Sequence, residues 1–239
     1  MGYLTKFYHY VAGAELNLLA SSRTYYKLKR IYHYPRKNKR GTYVDEDTSI
    51  VIEGYPRSAN SISVVRFRDA QKSADLKIAH HIHSPWQFIV AAELKVPSIL
   101  LLRNPKDCVS SLMLYFNKLE AKEALSYYIK FHKAILPIID YPVIAAFDDV
   151  LNNFSQIIEK CNLKFGVEFN TKIISSDEMV SIMEKQFDRP LDTNTQAAFP
   201  TAARRTMKEE KLAELERDEY RPLVSECQKL YEKLLSYAC

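Results

Sequence analysis

The chain has 239 residues, of which 47% are hydrophobic and 26% charged, enough to bury one full α/β core and too apolar for wholesale disorder. Its net charge of +5 is uneven: residues 1–41 hold nine Lys or Arg against a single acid, Glu15, and the remainder is slightly acidic, with no extended basic stripe for nucleic acid. Cys108, Cys161, Cys227 and Cys239 make no CxxC or zinc spacing, which argues against a disulfide scaffold and for a reducing compartment. The first apolar stretch is broken by Lys6, His9 and Glu15, and no uncharged run reaches the roughly 20 residues of a membrane span, so the expectation is a cytoplasmic protein.

In chain order, residues 1–41 form a basic, aromatic arm distinct from a body over 42–239. Leu16, Leu19, Tyr26 and Tyr32, with Lys and Arg between them, suit an amphipathic helix touching the inner face of a membrane; the alternative is a solvated arm whose aromatics pack on the body. Ser49–Glu53 is a β-branched strand ending at Gly54, and a helix follows from about Asn60 to Lys72. Asp75–His80 is a second strand. Ser84 as N-cap, Pro85 in the first turn and Gln87 three residues on open the next helix. Val96–Leu102 has the continuous hydrophobicity of a strand buried on both faces. Helices follow over 107–117 and 121–138, a strand over Pro142–Phe147 and a helix over 149–162. From about 172 the chain reads as helical, split at Pro222, with a lid-like loop over 187–208. Strands alternating with helices predict a three-layer α/β/α fold around a central parallel sheet, with a helical C-terminal segment.

Gly54-x-x-x-x-Ala59-Asn60-Ser61 lies between a strand and a helix, in the frame of the GxxxxGK[ST] phosphate loop. Such loops work because successive backbone N–H groups and the positive helix end converge on an anion. Ala59 replaces the second glycine and fits only where φ is negative. Asn60 stands where a triphosphate-binding lysine belongs, so the loop alone says phosphate but not ATP. A second segment, Arg103-Asn-Pro-Lys-Asp-Cys-Val-Ser-Ser111, leaves the third strand at the sheet edge where ligands of open α/β sheets bind. Read by itself, it is equally a charged turn with Asp107 capping a helix.

Together the two segments resemble the PRSGTS and RNPxDxxxS motifs of the sulfotransferases that use 3′-phosphoadenosine 5′-phosphosulfate (PAPS), a family with a P-loop NTPase-like fold. The resemblance implies that Arg57 lies beside the transferred sulfuryl group, that Ser58, Ala59, Asn60 and Ser61 hold the 5′-phosphate, and that Arg103 and Ser111 hold the 3′-phosphate. Ala146–Leu151 with Phe165-Gly166 is similar to a further family segment. Pro200–Lys208, with Arg204, Arg205 and Lys208, is similar to the basic stretch that closes over the 3′-phosphate. Residues 1–41 are not covered.

Sulfuryl transfer needs a base for the acceptor hydroxyl, and histidine suits that role near neutral pH. Strand alternation puts Ile78, His80 and Ile82 on an apolar face and Ala79, His81 and His83 on the other. The family's base sits on this strand end, and His81 is the first choice, with His83 second. A metal on His81 and His83 would lack a third ligand, so no metal is required. The expectation is an enzyme transferring sulfuryl from PAPS to a small-molecule, carbohydrate or lipid-linked hydroxyl. A P-loop nucleotide or small-molecule kinase, or a non-catalytic nucleotide-binding protein, are the alternatives.

Overall fold

A computed structural model of the chain describes residues 13–33, 42–72, 75–116, 119–173 and 202–238. Residues 13–21 (α1) and Arg23–His33 (α2) are helical and precede the sheet. Then come β1 (Ile50–Gly54), α3 (Asn60–Ala70), β2 (Ile78–Ala79), α4 (Trp86–Leu94), β3 (Ser98–Leu102) and α5 (Pro105–Tyr115). They are followed by α6 (Ala121–Ile135), β4 (Val143–Ala146), α7 (Phe147–Asn152), α8 (Phe154–Phe165), α9 (Ala202–Leu215) and α10 (Arg221–Leu235). Pro222 lies in the first turn of α10, where its missing N–H costs nothing, and the helical segment divides there as expected.

The four strands are all parallel, in the order β2-β1-β3-β4. Strand alternation feeds two separate cores. Ile50, Ile52, Ile99, Leu101, Val143 and Ala145 pack with α3, α7 and α8 on one face. Val51, Leu100, Leu102 and Ile144 pack with α4, α5, α6 and α10 on the other. The chain is thus a three-layer α/β/α structure, and the buried faces of β1 and β3 explain their unbroken apolar runs. Strands added on opposite sides of β1 make the C-terminal ends of β1 and β3 the topological switch point of the sheet.

Several local expectations are corrected. The residue before α4 is Pro85, which makes no side-chain cap bond, while Ser84 Oγ accepts from Trp86 N (3.4 Å) and donates to Leu19 O (2.7 Å). Gln87 is fully buried and serves tertiary contacts: Oε1 accepts from Tyr26 Oη (2.7 Å) and Val44 N (2.9 Å), and Nε2 donates to Thr42 O (2.9 Å). These bonds, with the burial of Leu19, Ala20 and Tyr26, pack the helices of the expected arm onto the body. At 172–173 the chain is coil, the rest of the helical stretch expected from about 172 lies outside the described residues as far as 201, and α9 is helix over Ala202–Leu215. The expected lid over 187–208 lies outside the described residues as far as 201; over 202–208 the chain is helix, which corrects that part of the expectation. Among the described residues no helix is long and apolar enough to cross a membrane.

Gly54 closes β1 where it approaches β3: a Cβ there would lie 2.4 Å from Leu101 O. The obstacle is backbone in a fully buried strand, so Gly54→Ala should lower unfolding free energy by about 1–3 kcal/mol, as overpacking does, measurable by urea denaturation.

Candidate active site

The phosphate-loop frame stands between β1 and α3. Arg57 and Ala59 have left-handed φ of 72° and 68°, alternating with Ser58, whose φ is not positive. The expectation of a negative φ at Ala59 is thus overturned. The conformation costs an L-residue about 1–2 kcal/mol, but it turns successive amides toward one concavity, as anion-binding nests do. Among the described residues the amides of Ser58 to Ile62 have no backbone acceptor, and Ser58 Oγ is buried without a partner. Asn60, in the lysine position, is buried and turns back on the loop, its Nδ2 donating to Tyr55 O (3.1 Å). Tyr55 anchors the loop from below: it is fully buried against Tyr127 and Tyr128, and its hydroxyl donates to Ala124 O (3.0 Å).

The second segment meets the first at the switch point. Arg103 Nη1 donates to Arg57 O (2.8 Å), and Arg57 Nε donates to Ser111 Oγ (3.0 Å). The Arg103 guanidinium lies 4.0 Å from the Phe147 ring centroid, and that of Arg57 lies 5.6 Å from Tyr115, so both cations rest on aromatic faces. Asn104, not Asp107, caps α5 by accepting from Lys106 N (3.0 Å). Asp107 pairs instead with Lys208 of α9. Arg204 and Arg205 fall in the first turn of α9, but their side chains lie outside the described residues.

The histidines are not sorted by strand alternation, because β2 ends at Ala79 and His81 and His83 take positive φ of 56° and 55°. His80 Nδ1 and His81 Nδ1 are 2.7 Å apart, and His81 Nε2 is 3.0 Å from Ser61 Oγ, so both nitrogens of His81 are engaged. Burial lowers His80 to about 4 and His81 to about 3. His83 differs. Its Nδ1 lies 3.1 Å from a carboxylate oxygen of Glu53 and 3.0 Å from Gly54 O. Against the opposing effect of burial, the Glu53 charge and hydrogen bond raise the pKa of His83 above its ordinary value.

Glu53 was not singled out by the sequence reading. Its carboxylate is fully buried and accepts from Ile82 N (2.7 Å), His83 N (3.0 Å) and Gly54 N (3.1 Å). Burial works to raise its pKa, but the charge, ring hydrogen bond and backbone amide of His83 outweigh it and the result is lowered. The available signal was a carboxylate at the end of an otherwise apolar, fully buried strand, where a charge must have a partner. Among the described residues no cluster of three or more His, Cys, Asp or Glu is placed to hold a metal ion.

No family model matches the chain, and no curated protein matches it. Among solved structures, it is similar to a mouse sulfotransferase, SULT7A1, complexed with PAP, at 14% identity over 82% of this chain and 90% of that one, with a TM-score of 0.41. At that identity and score the likeness assigns no role to any residue.

The histidines set a pH dependence of stability. His80, His81 and the buried His132, lowered to about 4, about 3 and about 4, stay neutral in the folded chain while their unfolded counterparts protonate near 6.5. The unfolded chain therefore binds more protons, and stability is lost as pH falls below 6.5. His83, raised, has the opposite sign: its contribution is complete below 6.5 and is lost as pH rises through its folded pKa. Below 6.5 the three lowered groups decide the slope. Urea titrations between pH 6.5 and 5 should show stability falling by on the order of 1 kcal/mol or more per pH unit.

Proposed function

We propose that the chain transfers a sulfuryl group from PAPS to an acceptor hydroxyl. The observation that supports this most is the meeting of two anion-binding segments at one sheet edge: Arg103 bonded to the loop carbonyl of Arg57, and Arg57 bonded to Ser111. A single phosphate loop would serve many nucleotides, whereas a second Arg and Ser pair beside it fits a donor carrying phosphates at both its 5′ and 3′ ends. The residues fit that donor: the amides of Ser58, Ala59, Asn60 and Ser61 and the Ser61 hydroxyl for the 5′ side, and Arg103 with Ser111 for the 3′-phosphate. Arg204, Arg205 and Lys208 complete the proposed donor site.

The base in this reading is His83, and His81 moves to second place. The Nε2 of His83 has no hydrogen bond among the described residues, and the side chain keeps 22% of its surface exposed. His81 has both nitrogens engaged, and its basicity is lowered much further. His81 instead orients the Ser61 hydroxyl. In the transfer step, His83 Nε2 takes the acceptor proton as the new O–S bond forms, and Arg57 stabilises charge on the oxygen released when the donor's bridging O–S bond breaks. The product that leaves is adenosine 3′,5′-bisphosphate.

A carbohydrate or glycolipid hydroxyl is the proposed acceptor, the class that the motif resemblance implies. A cytoplasmic location with peripheral membrane contact through the arm belongs to the same reading, supported by the exposure of Leu28 and Ile31 beside Lys27 on α2. The kinase alternative is disfavoured by Asn60, whose side chain is turned to Tyr55 O.

Thermal denaturation separates these readings. Adenosine 3′,5′-bisphosphate should stabilise the chain by roughly 3 kcal/mol at a hundredfold excess over Kd, and Arg103→Ala should lose most of that gain. Stabilisation by ATP with magnesium and not by the bisphosphate would overturn the proposal. His83→Ala should keep bisphosphate binding and lose transfer, whereas His81→Ala should weaken binding; the reverse pattern would return the base to His81.

A further inference from the structure

We infer that Glu53 is the positioning residue of the transfer, fixing the His83 ring beside Gly54 O and stabilising the imidazolium that forms when the ring acts as a base; this rests on the sulfotransferase reading above. The inference begins from hydrogen-bond valence. His83 Nδ1 faces two groups, the Glu53 carboxylate at 3.1 Å and the Gly54 carbonyl at 3.0 Å. Ionised carboxylate and carbonyl oxygens only accept, so Nδ1 must carry a hydrogen. Neutral His83 then has its lone pair on Nε2, the nitrogen left without a bond among the described residues. A carboxylate behind Nδ1–H also stabilises the imidazolium that forms when Nε2 takes a proton, the logic of an acid–histidine pair in which the acid stays ionised.

The backbone is held by the same carboxylate. One Glu53 oxygen accepts from the amides of Ile82 and His83, fixing the chain where His83 takes a φ of 55°. The Tyr127 hydroxyl of α6 donates to His83 O. The imidazole is therefore located by its ring nitrogen, its own amide and its own carbonyl. This is the over-determination that a strained residue needs if it is to stay in place. The charges and titratable groups around His83 are Glu53 on β1, Arg57 in the loop, His80 and His81 beside it, and Tyr127 on α6. Glu53 is the one of these that favours the protonated ring; Arg57 opposes it.

In the balanced step, the acceptor O–H proton passes to His83 Nε2, the acceptor oxygen bonds to sulfur, and the bridging O–S bond breaks with its electron pair on the departing bisphosphate. Glu53 exchanges no proton; it offsets the positive charge left on the ring.

The test is histidine NMR on the full chain with 15N- and 13C-labelled imidazoles, assigned with His83→Gln. In the wild type above its titration midpoint, His83 should show the Nδ1–H tautomer, and that midpoint should lie above 6.5. In Glu53→Gln, whose side-chain amide oxygen can still accept the two backbone amides, the midpoint should fall by about one unit or more, while Gly54 O, which only accepts, keeps the hydrogen on Nδ1. An unchanged midpoint in Glu53→Gln would overturn the assignment of Glu53. If that variant does not fold, the wild-type spectrum decides, since an Nε2–H tautomer there overturns it equally. Failure of the wild type to bind the bisphosphate would overturn the donor reading, and with it the catalytic part of the inference, while the tautomer result would still report on the pair itself.

Discussion

An ionised carboxylate with no exposed surface, at the end of a strand buried on both faces, is the constraint around which the site is arranged. Burying a charge without partners costs far more than a domain can tolerate, so the chain near Glu53 has to supply donors. It supplies four: the amides of Gly54, Ile82 and His83, and the Nδ1 of His83. Three of them come from the segment after β2, so one side chain ties the end of that strand to the start of the phosphate loop. The two positive-φ histidines follow from this attachment. A chain held at both the amide and the ring of His83 has little freedom to relax toward extended backbone, and the conformational strain is offset by satisfying the carboxylate.

The same economy governs the cations. Arg57 and Arg103 approach each other through a backbone carbonyl, which places two positive charges at one sheet edge and makes that edge attractive to anions. Among the described residues no carboxylate ion pair is formed by Arg103. Arg103 rests on Phe147 and Arg57 on Tyr115, interactions that stabilise a cation without neutralising it. An Asp or Glu in place of Phe147 would have fixed Arg103 equally well and cancelled the field an anionic donor needs. Lys208 shows the contrast, because it is paired with Asp107 and brings less net charge to the edge.

The sheet was legible because parallel strands covered on both faces leave long apolar runs, and Ser49–Glu53 and Val96–Leu102 are such runs. The two phosphate segments were legible because their chemistry is local, each a strand end followed by a helix start. What was not legible depended on contacts distant in sequence. Gln87 looked like a helix-cap partner, but its amide is used by Tyr26, Val44 and Thr42, which no local pattern links to it. His80, His81 and His83 looked like alternating strand residues, but the strand stops at Ala79 and the backbone turns left-handed twice, a consequence of Glu53 across the sheet. Ala59 adopts the conformation of the glycine it replaces, since the loop's closure by Asn60 and Tyr55 determines φ there more strongly than the side chain does.

The three neighbouring imidazoles are driven apart in character by their partners. The Nδ1 of His83 faces the Gly54 carbonyl and the Glu53 carboxylate, and against burial and the Arg57 charge these favour protonation of its ring. His81 is buried beside His80, Ser61 and the His83 ring, so a proton added to it would put a charge out of water and a second positive charge beside His83. Each histidine's state therefore restrains the other. When His83 is charged, His81 is held neutral more firmly, and its ring continues to bond the Ser61 hydroxyl. A proton arriving at this site has one favourable destination, and the phosphate loop keeps its arrangement while the proton is there.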